Sequence, residues 1–140
     1  MAKTTADILF QVNDDYSKDD FFTRLCGVLC EMNVITSKTE IQNKLLEREK
    51  VADTRISEAC AMPHCMSESV IQSKIIFVDC SEYPILWHDV NNPVEQIIVL
   101  LLAKDNSASE LEKVQTFVRK LAFHDYDVDK NVMQKKAYIL

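Results

Sequence analysis

Glycine is nearly absent from this chain of 140 residues, in which Gly27 is the single example. Loops that bind phosphate through backbone N–H groups need several glycines, as in the patterns GxxxxGK[ST] and GxGxxG, and neither pattern occurs. The scarcity of glycine therefore excludes both kinds of nucleotide-binding loop. Any phosphate chemistry has to depend on side chains or on a helix N-terminus.

Long apolar runs and an excess of positive charge are also lacking. The longest apolar segment, residues 97–103, has the length of a strand, whereas a membrane span needs roughly 18 residues. The first residues show no signal-peptide pattern. We therefore expect a cytoplasmic protein without a membrane-inserted segment. The net charge of −6, from 16 basic and 22 acidic side chains, argues against nucleic-acid binding, which needs a basic surface.

The five cysteines do not form the pattern of a secreted disulfide scaffold, so we expect reduced thiols. In the segment ACAMPHC, residues 59–65, the spacing of Cys60, His64 and Cys65 matches no common zinc site, and we expect neither a metal nor a cofactor. Thiols packed in the core are the favoured interpretation. A Cys65 nucleophile activated by His64 is disfavoured, because adjacent residues on a strand point to opposite faces.

Hydrophobic periodicity predicts a mixture of helices and strands. Strands are predicted at residues 8–12, 59–62, 74–80, 84–87 and 96–103. Helices are predicted at 18–32 after an N-cap at Ser17, from Ser37 or Thr39 to about 50, after a cap within 106–109, and at 127–136. Because the two types do not alternate strictly, we expect a single α/β domain over residues 1–140, a sandwich with a mixed sheet flanked by helices on both faces.

Among the three histidines, His64 has the most distinctive context. It follows Pro63 at the end of an apolar segment, so its ring is expected at the edge of the sheet, where sites gather in open α/β folds. We interpret His88 and His124 as exposed loop residues. Arg48 is the second residue of interest, because its planar guanidinium suits an oxyanion or a phosphoryl group near His64. An equally favoured interpretation is that Arg48 is an ordinary helix arginine whose side chain is exposed to solvent.

Four stretches carry a resemblance to a known family: LLEREKVADTRISEACAMPHC, VIQSKIIFVDC, YPILWHDVNNPVEQIIVLLLAKD and SELEKVQTFVRKLAFHD. In this order they resemble the IIA components of the sugar phosphotransferase system, in the fructose/mannitol type (PTS EIIA type-2), and look closest to its galactitol-type members. The most specific piece is the apolar-x-Pro-His motif at His64 with the upstream pair Arg48-Glu49.

The resemblance implies an α/β sandwich that carries a phosphoryl group between proteins. His64 would accept the group from phospho-HPr and pass it to a cysteine of a IIB component, and Arg48 would stabilise its charge. Thr54 and Ser57 are further candidate hydrogen-bond donors. These residue types fit the chemistry, because phosphoryl transfer depends mainly on positioning and on charge stabilisation.

The chain departs from the family pattern T-x-(I/L)-G-x-G-x-A-x-P-H-G. Ser57, Ala59 and Cys65 replace its glycines, so we expect a narrower or differently shaped groove around His64. Glu110 stands where fructose and mannitol types often have histidine and galactitol types often have glutamine. A carboxylate there would repel a phosphoryl group that carries about two negative charges, or it would hydrogen-bond a ring nitrogen and fix the tautomer. Family members often continue into a final helix, which leaves a truncated C-terminus as one reading.

Three functional hypotheses stay open from the sequence. The first is a working phosphocarrier for sugar uptake, and the second is a IIA-like regulatory domain that senses phosphorylation for a transcription regulator. The third is an inactive paralogue kept for protein binding. The sequence does not identify the sugar, because selectivity in this family lies mostly in the membrane component.

Overall fold

The computed structural model describes residues 6–57, 59–87, 91, 93–104, 108–123 and 137–140, and in the last helix it describes the side chains of residues 110–119. The elements in chain order are β1 (Ile8–Gln11), α1 (Lys18–Glu31), α2 (Lys38–Val51), β2 (Cys60–Ala61), β3 (His64–Ser67), β4 (Lys74–Asp79), β5 (Gln96–Ala103), α3 (Ala108–Phe123) and β6 (Tyr138–Ile139).

The sheet is mixed, as predicted. Its strands follow the order β2-β5-β4-β1-β6, and β3 also pairs with β5. Strands β4 and β5 are antiparallel, whereas β1 with β4, β1 with β6, and β2 and β3 with β5 are parallel. The interior place of β5 explains its nearly continuous apolar sequence, because a strand that is covered on both faces has no solvent side.

Helices cover both faces of the sheet, which confirms the predicted architecture. One core cluster joins β1 side chains such as Phe10 to Leu25 of α1 and Leu45 of α2. The other joins Phe77 and Leu100 to side chains of α3, including Phe117. We call these the α1–α2 face and the α3 face.

Both predicted N-caps begin their helices. The Ser17 hydroxyl accepts a hydrogen bond from the Asp20 amide at 3.1 Å, and the Ser37 hydroxyl accepts one from the Glu40 amide at 3.3 Å. A side chain that satisfies an early amide contributes roughly 1 kcal/mol. Of the two caps proposed for α2, the structure therefore selects Ser37.

Strands β2 and β3 form one interrupted edge strand. Cys60 pairs with Gln96 and His64 pairs with Leu100, so the register does not change across the interruption. The Leu100 amide donates to the carbonyl of Pro63 at 3.0 Å. The strand predicted at residues 59–62 ends before Pro63, but the strand that resumes at His64 was not predicted. Pairing can resume there because a proline keeps its acceptor and an edge strand tolerates its missing donor.

Several other predictions need correction or concern residues that the structure does not describe. Residues 84–87 contribute only one isolated bridge, between Ile85 and Val94, and not a full strand. The short strand β6 was not predicted. His88, His124 and the helix predicted at 127–136 lie outside the described residues. In the described part of the chain, every helix is too short or too polar to cross a bilayer.

Candidate active site around His64

His64 opens β3, with its side chain exposed. Burial alternates along this strand, and the next residue, Cys65, packs into the core on the α1–α2 face. His64 instead shares a groove with Leu100 and with side chains of α3. The structure therefore places an accessible imidazole on the α3 face of the edge strand, at the start of β3.

The groove beside His64 has a volume of about 530 Å³ and mostly apolar walls. Its polar contributors besides His64 are Gln115 and Arg119, both on α3. Its apolar lining consists of Met62, Leu100, Leu102, Leu111, Val114 and Val118. A nucleophile on the margin of an apolar groove can meet a partner surface that excludes water from the reacting groups.

The glycine replacements were expected to narrow the groove around His64. For Cys65 this expectation is wrong, because its side chain lies on the opposite face of the strand. Ser57 is exposed in a tight turn, where its amide and that of Ile56 donate to the Cys60 carbonyl at 3.4 and 2.9 Å. Glu110 is half-buried in the first turn of α3, immediately before the groove residue Leu111.

Arg48 lies in the last turn of α2 and is half-buried. The other end of α2 contacts the end of β3, because the Glu40 carboxylate accepts hydrogen bonds from the hydroxyls of Ser67 and Ser69.

Near the last turn of α2, Glu49 accepts a hydrogen bond from the Thr54 hydroxyl, and the Thr54 carbonyl accepts one from the Met62 amide just before β3. Helix α2 thus runs antiparallel to β3, and its last turn lies toward the end that carries His64. In the described part of the chain, the Arg48 side chain forms neither a hydrogen bond nor an ion pair.

Thr54 is buried, and its hydroxyl donates to the carboxylate of Glu49. The Thr54 hydroxyl proton is therefore engaged in a hydrogen bond within the protein. The carbonyl of Thr54 accepts from the amide of Met62 at 2.9 Å. Thr54 consequently connects the end of α2 to the strand that leads to His64.

Glu49 is a site residue to which the sequence analysis gave no role. Its side chain is 2% exposed, and besides the Thr54 hydroxyl it accepts a hydrogen bond from Trp87 Nε1 at 2.9 Å. The signal was present, because Ile41, Leu45 and Glu49 recur every four residues and form the buried side of α2. A carboxylate at the end of an apolar stripe predicts a buried acceptor with partners elsewhere in the fold.

The two cysteines near His64 in the sequence, Cys60 and Cys65, do not supply a competing nucleophile. All five cysteines of the chain are free thiols. Burial raises the pKa of Cys65 to about 11, and burial also raises the pKa of Cys60 to about 11. Both thiols stay protonated near neutral pH, whereas the thiolate is the reactive form. Within the described residues, no group of three or more His, Cys, Asp or Glu side chains is arranged to hold a metal ion.

The chain matches a protein family over residues 4–135. That family is described as "Phosphoenolpyruvate-dependent sugar phosphotransferase system, EIIA 2". Among curated proteins, it is 27% identical over 124 residues to Multiphosphoryl transfer protein 1 of Escherichia coli strain K12. It is 26% identical over 124 residues to Multiphosphoryl transfer protein of Shigella flexneri. Each match covers 88% of this chain but only 14% of the relative, so the chain spans a small part of these longer proteins.

Solved structures share the fold. IIA-Ntr from Neisseria meningitidis superposes with a TM-score of 0.64 at 21% identity, covering 93% of this chain and 86% of that one. IIA mannitol from E. coli gives 0.61 at 18% identity, with 90% and 84% covered. The complex of enzyme IIAMtl with phosphorylated enzyme IIBMtl from E. coli contains a chain that gives 0.64 at 14% identity, with 91% and 87% covered. At these identities the likeness establishes the fold alone.

Proposed function

Because the chain belongs to the EIIA 2 family of the phosphoenolpyruvate-dependent sugar phosphotransferase system, we propose that it is a phosphocarrier with His64 as its phosphoryl acceptor. The donor is phospho-HPr and the acceptor of the second step is a cysteine of a IIB component. The observation that carries this proposal is the exposed imidazole after Pro63, beside an apolar groove. A IIB partner is supported by the solved complex of a IIA protein of this fold with its phosphorylated IIB.

The proposed reaction needs one nucleophile and consists of two phosphoryl transfers, the first to His64 and the second from His64 to the IIB cysteine. A lone pair of the His64 imidazole attacks phosphorus, and an N–P bond forms as the bond from phosphorus to the donor breaks. In the second step the IIB cysteine sulfur attacks, an S–P bond forms, and the imidazole of His64 leaves with the electrons of the N–P bond. Catalysis then depends on alignment and on stabilising the oxygens of the phosphoryl group.

Arg48 is the residue proposed to stabilise those oxygens. Its guanidinium has no internal partner among the described residues, and the turn that carries it lies toward the His64 end of β3. Helix α2 packs on the α1–α2 face, whereas His64 projects from the α3 face. Since β3 lies at the edge of the sheet, a long side chain can reach around that edge to a phosphoryl group on His64.

Replacing Arg48 by alanine is expected to slow the phosphorylation of His64 about 10- to 100-fold, the equivalent of one charge-assisted hydrogen bond. Arg48→Lys should recover part of the rate, because lysine keeps the charge but loses the planar fork. The measurement is the initial rate of phosphoryl incorporation at a fixed concentration of phospho-HPr. Arg24→Ala, an exposed position on α1 with the same charge change, is the matched control. A wild-type rate for Arg48→Ala would remove Arg48 from the mechanism.

The proposed function is tested by reconstitution. Incubation of the protein with phosphoenolpyruvate, the general phosphotransferase enzyme and HPr should add one acid-labile phosphoryl group, detected by intact-protein mass spectrometry. Adding a IIB component should remove that group and label the IIB cysteine. A protein that accepts the group but never passes it on would fit the regulatory alternative. A protein that takes no label while a known IIA does would contradict phosphoryl transfer altogether.

A further inference from the structure

We propose that Glu49 is a positioning residue, whose buried carboxylate holds Arg48 and His64 in one fixed arrangement for phosphoryl transfer. The inference rests on the proposed function, because it assigns Glu49 an effect on that reaction. Glu49 does not itself touch the phosphoryl group. It acts through contacts that include hydrogen bonds donated by Thr54 and Trp87.

The first set of contacts links Arg48 to His64 through Glu49, Thr54 and Met62. Glu49 follows Arg48 directly in the last turn of α2, and its Oε1 accepts from the Thr54 hydroxyl. The Thr54 carbonyl accepts from the Met62 amide at 2.9 Å. Met62 is two residues before His64, with only Pro63 between them, and proline restricts the backbone there. The position of the Arg48 turn and that of His64 are thereby coupled.

The second set of contacts holds the Glu49 carboxylate in place relative to α1. Trp87 Nε1 donates to Glu49 Oε2 at 2.9 Å. The indole packs edge-to-face on Phe22 of α1, with ring centroids 5.5 Å apart, and Lys18 Nζ lies 5.9 Å from the ring centroid. Each carboxylate oxygen therefore has a donor that is itself held by the fold, which leaves the last turn of α2 little freedom to move.

Stability alone does not account for a carboxylate at this position. An apolar side chain would continue the stripe of Ile41 and Leu45. Replacing the whole hydrogen-bonded group of Glu49, Thr54 and Trp87 by apolar side chains of the same shape can be nearly neutral. Glu49 restricts the last turn of α2 to one geometry, because donors from two different segments must reach the same carboxylate. Helix ends fray without such contacts.

The test is a double-mutant cycle on the rate of His64 phosphorylation by phospho-HPr. Thr54→Val removes the hydroxyl but keeps the shape, and it should slow the reaction about tenfold when Arg48 is present. In the Arg48→Ala background the same change should have no further effect, because the coupling acts on the placement of the Arg48 guanidinium relative to His64 and that guanidinium is then absent. Trp87→Phe, which removes the other donor, should show the same dependence on Arg48.

Thr36→Val is the matched control, since the Thr36 hydroxyl donates to the Ser69 carbonyl at 3.5 Å near the opposite end of α2. It should leave the rate unchanged, and rates are compared for variants shown to be folded by circular dichroism. Equal slowing by Thr54→Val in both backgrounds would overturn the inference, and would indicate a direct contact with the phosphoryl group or a general structural effect. Failure of the proposed function would look different, because the wild-type protein would then take no label.

Discussion

Replacing His64 by alanine is expected to abolish phosphoryl acceptance from phospho-HPr while the protein remains folded. The substitution removes the only side chain to which the proposed mechanism gives a nucleophilic role. The side chain is exposed at the start of an edge strand, so its truncation leaves no cavity and should change the free energy of unfolding by less than about 0.5 kcal/mol. The measurement combines intact-protein mass spectrometry after the phosphorylation reaction with urea unfolding of both proteins.

Met66→Ala is the matched control for this variant. Met66 lies two residues further along β3 on the same face and is 48% exposed, so its loss tests the effect of truncating an exposed side chain on this strand. It should accept the phosphoryl group at close to the wild-type rate. If His64→Ala still gains one acid-labile phosphoryl group, another residue is the acceptor and the proposed assignment fails.

Local signals in the sequence predicted most of the helices and strands. Ser17 and Ser37 were recognisable caps because a helix start needs an acceptor for its early amides, whatever the rest of the fold does. The long apolar strand β5 was recognisable as interior because neither of its faces is polar. The continuation of the edge strand past Pro63 was missed, since it depends on pairing with β5 and not on the local sequence.

The candidate site was only partly predictable for the same reason. The motif at His64 and the pair Arg48-Glu49 could be found from their order along the chain. The face on which each one lies depends on register, which places Cys65 in the core and away from the groove. The role of Glu49 could not be read directly either, because its donor Trp87 is 38 residues away in the sequence.

Alkaline pH is expected to destabilise the fold strongly, because the buried thiols resist ionisation. Burial raises the pKa of Cys26 and of Cys80 from 9.0 to about 12, and the pKa values of Cys60 and Cys65 to about 11. Above pH 9 the unfolded chain therefore releases protons that the folded chain retains. Since the unfolded state then binds fewer protons, the free energy of unfolding falls as pH rises.

The expected loss is about 1.4 kcal/mol per thiol for each pH unit above pH 9, so four thiols together contribute several kcal/mol by pH 10. This is comparable to the whole stability of a domain of this size, roughly 5–15 kcal/mol. The contribution of the four protonated thiols to the free energy of unfolding is fully present at pH 7. It should be lost as the pH rises from 9 through the folded-state pKa values of about 11 and 12. The measurement is urea unfolding at a series of pH values from 7 to 10.

Two variants test whether the buried thiols cause the loss of stability at alkaline pH. Cys80→Ala removes one buried thiol. Above pH 9 it should make the fall of the free energy of unfolding shallower by the contribution of one thiol, about 1.4 kcal/mol per pH unit. Val78→Ala, at a fully buried position on β4, creates a comparable cavity without removing a thiol, and should lower stability equally at every pH. If Cys80→Ala and the wild type lose stability with the same slope, thiol ionisation is not the cause of the alkaline destabilisation.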